Sequence, residues 1–376
     1  MVGGIGAQLL AETTNLEFGE LCVGLQKDMM HSAGRLLHVP KIDRILSLAL
    51  DFSTPISAHN TTQQVAQSPS RLWGPVIEIT SMNTASGKTH IVYYLSALCT
   101  LPAYHHGVSL SGKSSAVLVF DTDGRFDVHR LRAILRSHIL HCFEAGPMRI
   151  SAQELDNITQ SALDHVHIFR PQSSRSMVEM LKGTATYLLN LGIHKSSQRR
   201  LDAILVDGMS AFYWQDRFNW VGTEKGVTGS LENYDLIVHY LRALSTSFGA
   251  FIVSTNWGLH INDAVPDSPE ARNTVGTPIT AVSPASPAFR SHLPSCWAKF
   301  VDVKLILERS APTTNRREVS TGKGMQKRNA TQLATKQHEI CGWVDIRGLS
   351  IRAQVLLKDE STTFHMKIDG DRIEFE

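Results

Sequence analysis

Ser86, Gly87, Lys88 and Thr89 stand in a row shortly after the apolar run Val76–Ile77–Glu78–Ile79–Thr80. In that order they carry what a phosphate chain needs. Glycine lets backbone N–H groups approach an anion, lysine reaches the outer phosphates, and a threonine hydroxyl can ligate Mg²⁺. One position departs from the pattern: Met82 stands where such a loop usually opens with glycine. If that position requires positive φ, methionine costs about 1–2 kcal/mol there.

A metal beside Lys88 and Thr89 calls for a carboxylate at the tip of a second buried strand. LDAILVD supplies one, with Asp207 closing the run and Gly208 after it. The tip of a parallel strand lies at the mouth where such sheets bind ligands, although Asp at a strand–helix junction also serves as a helix cap. A third group, Asp121, Asp123 and Asp127, follows the run AVLVF. Asp127 is read as a cap for the next helix and Asp121 as a brace for the turn at Gly124. Asp123 then remains as the candidate base that orients or deprotonates an attacking water. ATP and Mg²⁺ are the cofactors this constellation implies.

The elements that must position these residues follow from periodicity. VIEIT, AVLVF, HVHIF, LDAILVD and AFIVST are short continuous apolar runs, and amphipathic helical stretches separate them. That alternation predicts α/β architecture: a mostly parallel twisted sheet covered by helices on both faces. Upstream, Ile42, Ile45, Leu46 and Leu50 recur at helical spacing. FVDVKLILE resumes strand texture, GWVDI and RAQVLL follow, and TFHMKIDGDRIEF reads as a C-terminal β-hairpin about Asp369–Gly370.

The loop, the strand ending Asp-Thr-Asp-Gly and the later strand ending in Asp207 resemble, in order and spacing, the ATPase core of the RecA-type recombinases. FIVSTNW resembles that family's strand ending Thr-Asn-Gln, with Thr255 and Asn256 matching and Trp257 in place of the glutamine. DTDGRFDVHRL, MSAFYWQDRFN and PSCWAKFVDVKLILER resemble segments of the recombinase paralogues, and KIDRIL resembles the helix ahead of their core. The resemblance implies a RecA-like core and makes Asn256 a γ-phosphate sensor. It also implies a nuclear subunit that partners another recombinase paralogue, binds single-stranded DNA and supports the recombinase filament in double-strand break repair.

Asp123 stands where the catalytic recombinases carry glutamate. Its carboxylate reaches about one C–C bond, ~1.5 Å, less far, and a misplacement of ~1 Å costs ~10²-fold in rate. ATP binding with slow or absent hydrolysis is the expectation. The aromatic run AFYWQDRFNW carries Arg217, and the Gly-rich stretch after it carries Lys225. Aromatics with adjacent cations suit stacking on single-stranded DNA, while core packing or a partner interface suits the same aromatics. Arg217 and Lys225 are the DNA-contact candidates.

The expected organisation is an N-terminal segment (1–70) with one helix and a polar linker, then the ATPase core (71–310). Within the core, the proline-rich stretch 259–293 is expected to be a mobile loop. A basic polar linker or insertion (311–345) and C-terminal strands completing the sheet (346–376) follow. His138, His141 and Cys142 fall on one helix without a fourth ligand, which argues against zinc there; His165 and His167 are read as the exposed face of a strand. A formal net charge of +2 neither demands nor excludes nucleic acid. The scattered cysteines show no C-x-x-C pair, and no run is long and apolar enough for a membrane span. Two rival readings stay open: a scaffold subunit with a vestigial nucleotide site, and an unrelated phosphate-loop kinase or ATPase.

Overall fold

The computed structural model describes residues 36–50, 74–81, 83–144, 146, 148–190, 192–221, 229–260, 289–310, 338–359 and 362–376. Strands β1 (Val76–Ser81), β4 (Ala116–Asp121) and β6 (Leu201–Asp207) are buried at every position. Such strands have helices on both faces, and their side chains alternate between two cores. Ile77, Ile79, Val117, Val119 and Leu205 enter one core with helices α1 (Pro40–Ala49), α2 (Lys88–Thr100), α3 (Val128–Glu144) and α4 (Ala152–Leu163). Val76, Leu118, Phe120, Ile204 and Val206 enter the other with α5 (Ser174–Leu189) and α7 (Gly229–Phe248). Helix α6 (Tyr213–Val221) also lies on this side, docked through Tyr213.

The remaining strands are the small hairpin β2 (Tyr104–His105) and β3 (Val108–Ser109), then β5 (Val166–Phe169), β7 (Phe251–His260), β8 (Phe289–Ser291), β9 (Val303–Arg309), β10 (His338–Asp345), β11 (Thr363–Asp369) and β12 (Arg372–Phe375). The main sheet runs β12-β11-β10-β9-β1-β7-β6-β4-β5, with β8 pairing β7 off that path. From β9 to β5 all neighbours are parallel; from β9 outward to β12 they are antiparallel. This is the α/β, RecA-like core that the sequence implies, completed by the C-terminal hairpin about Gly370. Among the described residues no helix is long and apolar enough to cross a membrane.

Helix α8 (Ser295–Phe300) seats Trp297 without exposure, its indole donating to Glu78 Oε2 at 2.7 Å. Lys304 faces the other oxygen of Glu78 at 3.4 Å, so this buried carboxylate on β1 is matched from two sides.

Four expectations need correction. RAQVLL is helical, not strand: it lies in α9 (Ile351–Asp359), where Ala353 and Leu357 are buried one turn apart and Ser350 Oγ accepts the Ala353 N–H at 3.1 Å. The supposed linker 311–345 ends in β10, whose Ile340 and Val344 are core residues; 311–337 lie outside the described residues. The ends of the supposed loop 259–293 are ordered by pairing, since β7 runs on to His260 and β8 returns along it; 261–288 lie outside the described residues. His165 and His167 are buried, both hydrogen-bonded to Ser196 Oγ, at 2.9 and 2.8 Å, because the chain after α5 folds back over β5.

Candidate nucleotide-binding site

Parallel strands end on the same rim, and that geometry gathers the site. Register pairs Asp121 with Asp207 across β4 and β6, and Thr80 with Asn256 across β1 and β7. Between β1 and α2 the backbone curls through Ala85 and Gly87, both at positive φ (55° and 84°). Gly87 is the N-cap residue of α2 and offers no side-chain cap, so the first-turn amides of the helix are open to an anion. A side chain at Gly87 would also collide with the C-terminal strands: a Cβ there would sit 2.4 Å from Ile340 Cδ1 and 2.5 Å from Met366 Cε.

The Lys88 ammonium folds over this loop. Its Nζ donates to Ser81 Oγ and, at 3.3 Å, to Ser86 Oγ, while Ser86 Oγ lies 2.5 Å from Ser81 Oγ. Burial pulls the Lys88 ammonium down to about 8, against the opposing fields of Asp207 and Asp123. Thr89 Oγ1 donates to Asp207 Oδ1 at 3.2 Å, and Thr255 Oγ1 to the same oxygen at 2.7 Å. Burial pushes the Asp207 carboxyl above the usual range; the two threonine hydrogen bonds pull it back, and Asp123 and Asp121 push further up.

Asp123 also lies within reach of this group. Burial raises its carboxyl, Arg125 and Lys88 lower it, and Asp121 raises it. A raised carboxyl suits a proton acceptor working near neutrality. A Cβ on Gly208 (φ 90°) would come within 2.7 Å of Thr122 Oγ1 and 3.1 Å of the Asp123 carboxylate, so glycine there gives both residues their room. Thr122 Oγ1 itself bridges to the Asp207 and Gly208 carbonyls, at 2.7 and 2.6 Å. Asp121 and Asp127 act on their own turns. Asp121 accepts the Arg125 and Phe126 N–H groups, each at 3.0 Å, and Arg170 Nε at 3.1 Å; Asp127 accepts the His129 N–H at 2.8 Å.

The oxygen donors fit Mg²⁺, a hard cation that takes carboxylate and hydroxyl ligands at ~2.0–2.1 Å in octahedral geometry, with neighbouring oxygens ~2.9 Å apart. Thr89 and Asp207 already present such a pair at 3.2 Å. Asn256, wholly buried, accepts the Trp257 N–H at 2.8 Å. Met82 and Lys225 lie outside the described residues. Arg217 is on α6, away from the Lys88–Asp207 contacts; it donates to Tyr213 OH at 3.1 Å and lies 5.8 Å over the Trp214 ring. The aromatic run divides: Tyr213 is core, Trp214 and Phe218 are exposed, and Trp214 stacks on His292 at 5.4 Å.

Sequence reasoning assigned no role to Ser81, Thr122 or Thr255, which hold Lys88 and Asp207 in place. The available signal was position. Ser81 and Thr255 are polar residues closing otherwise apolar runs beside named site residues.

No family model matches the chain. It is similar to a DNA repair protein XRCC2 homolog of Arabidopsis thaliana, 26% identical over 262 residues that span 63% of this chain and 70% of the relative. DNA repair protein XRCC2 of Mus musculus is 23% identical over 224 residues, 60% of this chain and 69% of the relative. DNA repair protein rlp1 of Schizosaccharomyces pombe is 32% identical over 125 residues, 33% of this chain and 31% of the relative. In sequence the chain is thus similar to XRCC2-type DNA repair proteins, and its strand order is that of a RecA-like core with Lys88, Thr89 and Asp207 gathered on one rim.

Proposed function

We propose that this protein serves DNA repair by homologous recombination as a nucleotide-binding subunit of a recombinase-paralogue complex. The repair role draws on relatives named as DNA repair proteins. The nucleotide role rests on one observation: the Thr89 and Thr255 hydroxyls converge on Asp207, while Lys88 lies in the field of both Asp207 and Asp123.

In this reading the loop amides and Lys88 bind the phosphates of ATP, with Ser86 and Gly87 shaping the cradle. Thr89 and Asp207 would hold Mg²⁺, whose charge offsets that of the phosphates. Thr255 fixes the orientation of Asp207, Asn256 senses the outer phosphate, and Asp123 holds the attacking water. Its short reach keeps turnover slow. The complex acts in the nucleus on single-stranded DNA and the recombinase filament, with Arg217 and Lys225 as DNA contacts and a second paralogue as partner. The convergent hydrogen bonds on Asp207 favour this over a vestigial scaffold, in which nothing would keep a buried carboxylate aimed at the threonine of the loop.

Co-purification with a second paralogue, combined with steady-state ATP turnover of the isolated chain, tests the reading. We expect a stable pair and turnover far below ~1 s⁻¹. Turnover at or above that rate, abolished by Asp123→Ala, would contradict slow hydrolysis; failure to capture any paralogue would contradict the complex.

A further inference from the structure

The β2–β3 hairpin carries side chains that the proposed function does not use. Pairing of Tyr104 with Ser109 and of His105 with Val108 leaves His106 and Gly107 as a two-residue turn. Both have positive φ, 49° and 79°, the geometry that closes tight hairpins. The turn sets the adjacent imidazoles of His105 and His106 side by side, ring centroids 4.2 Å apart.

Facing them is Glu154 in the first turn of α4. Its carboxylate is oriented by a capping box in which Oε2 accepts the Ser151 N–H at 3.0 Å and the Ser151 hydroxyl at 2.7 Å. Oε1 lies 3.1 Å from His106 Nε2. One ligand atom from each of His105, His106 and Glu154 lies within 4.8 Å of the other two. Tetrahedral zinc, with bonds of ~2.0–2.1 Å, sets its donors ~3.3 Å apart. The His106–Glu154 separation, 3.1 Å, already suits that spacing, and the remaining separations are at most 4.8 Å.

A second observation is independent of this grouping. His105 Nε2 is sealed from solvent and has no hydrogen-bond partner among the described residues. Buried polar atoms seldom stay unmatched, and an imidazole committed to a metal through its other nitrogen, or through this one, is a common way to use such a ring.

We propose that His105, His106 and Glu154 form a divalent transition-metal site, most suited to Zn²⁺, that staples the β2–β3 hairpin to the N-terminus of α4. Two imidazole nitrogens and a carboxylate oxygen are a zinc donor set with a fourth position for water, and they are a poor one for Mg²⁺ or Ca²⁺, which take oxygen. The two Ser151 contacts fix the direction of the Glu154 carboxylate toward the hairpin. Oriented carboxylates of this kind tune metal ligands and are costly to lose. The histidine group on α3 has other engagements: His138 Nε2 contacts the Leu110 carbonyl at 3.0 Å, and His141 meets Arg372 at 2.7 Å.

The full chain, stripped with a chelator, is titrated with ZnCl₂ against a chromophoric competitor, with far-UV circular dichroism as the check on folding. We expect one zinc per chain with Kd on the order of 1 μM or tighter. His106→Asn keeps a residue tolerant of left-handed backbone; it and Glu154→Gln should each weaken binding about 10–100-fold. The double variant His141→Ala/Cys142→Ala should bind as wild type does. Absence of stoichiometric zinc at 100-fold higher concentration would overturn the site. So would unchanged affinity in folded His105→Ala/His106→Asn/Glu154→Gln, or equal loss in the α3 double variant.

Discussion

The parallel half of the sheet, β9 to β5, and its antiparallel extension, β10 to β12, do different work for the same rim. Parallel strands buried on both faces bring all their C-terminal ends to one edge, so Ser81, Asp121, Asp207 and Asn256 meet there, all buried. Burial then shifts the ionisable groups of the rim: Asp207 and Asp123 upward, Lys88 downward. The antiparallel strands β10 and β11 alternate between buried and more exposed positions, and several of their charges pair near the surface, as in Lys367–Glu376 and Arg372–Glu374. Toward the site they offer an apolar wall, Ile340 and Met366 beneath Gly87. Chemistry comes from one half, and the shape of the loop from both.

The largest expected effect lies where the halves touch. Gly87→Ala combines left-handed backbone strain with a collision against Ile340 and Met366. We expect a loss of roughly 2–5 kcal/mol in urea unfolding. Met366→Ala in the same chain should recover part of it, as a double-mutant coupling of about 0.5–3 kcal/mol. Additive losses would mean that the antiparallel strands do not shape the loop.

Acid should weaken the parallel half next. Burial, then His194 and His165, pull His167 down to about 4; burial, then Arg130 and His338, do the same to His90. A histidine whose folded value is depressed favours the fold above the free value near 6.5 and loses that contribution as pH falls through about 4. Unfolding free energy should therefore drop between those limits. His167→Gln should reduce the drop by about 2–3 kcal/mol; an unchanged pH profile would show that His167 is not held neutral by the fold. At the small end, removing the half-exposed Lys367 partner of Glu376 should leave the unfolding midpoint unchanged within error. A clear shift would give the antiparallel surface an electrostatic role it lacks here.

Legibility in the sequence followed the same division. Continuous apolar runs and the Ser86–Thr89 loop announced the parallel half, because its order is local: strand, turn, helix. Asp121 and Asp127 were placed correctly as turn and helix supports, since each bonds within a few residues of itself. RAQVLL misled because a short apolar run suits helix and strand alike, and only the burial of Ala353 and Leu357 decides. Ser81 drew no attention, and Thr255 was matched to a strand end without its hold on Asp207, because these roles depend on residues reached through the fold: Thr255 and Asp207 are separated by 48 positions. The wall under Gly87 is more distant still, and no local pattern encodes it. In YHHGV the two-residue turn was too short to stand out, so His105 and His106 drew no attention.

The central claim is that Lys88, Thr89 and Asp207 hold a magnesium-bound triphosphate. Calorimetric titration of the purified chain with ATP and Mg²⁺ between pH 7 and 9 tests it most directly. The account predicts saturable one-site binding, lost in Lys88→Ala and Asp207→Asn, with proton uptake as pH passes about 8, where the unliganded Lys88 begins to lose its charge. Equal heats and affinity in wild type and Lys88→Ala, or no binding in either, would contradict it.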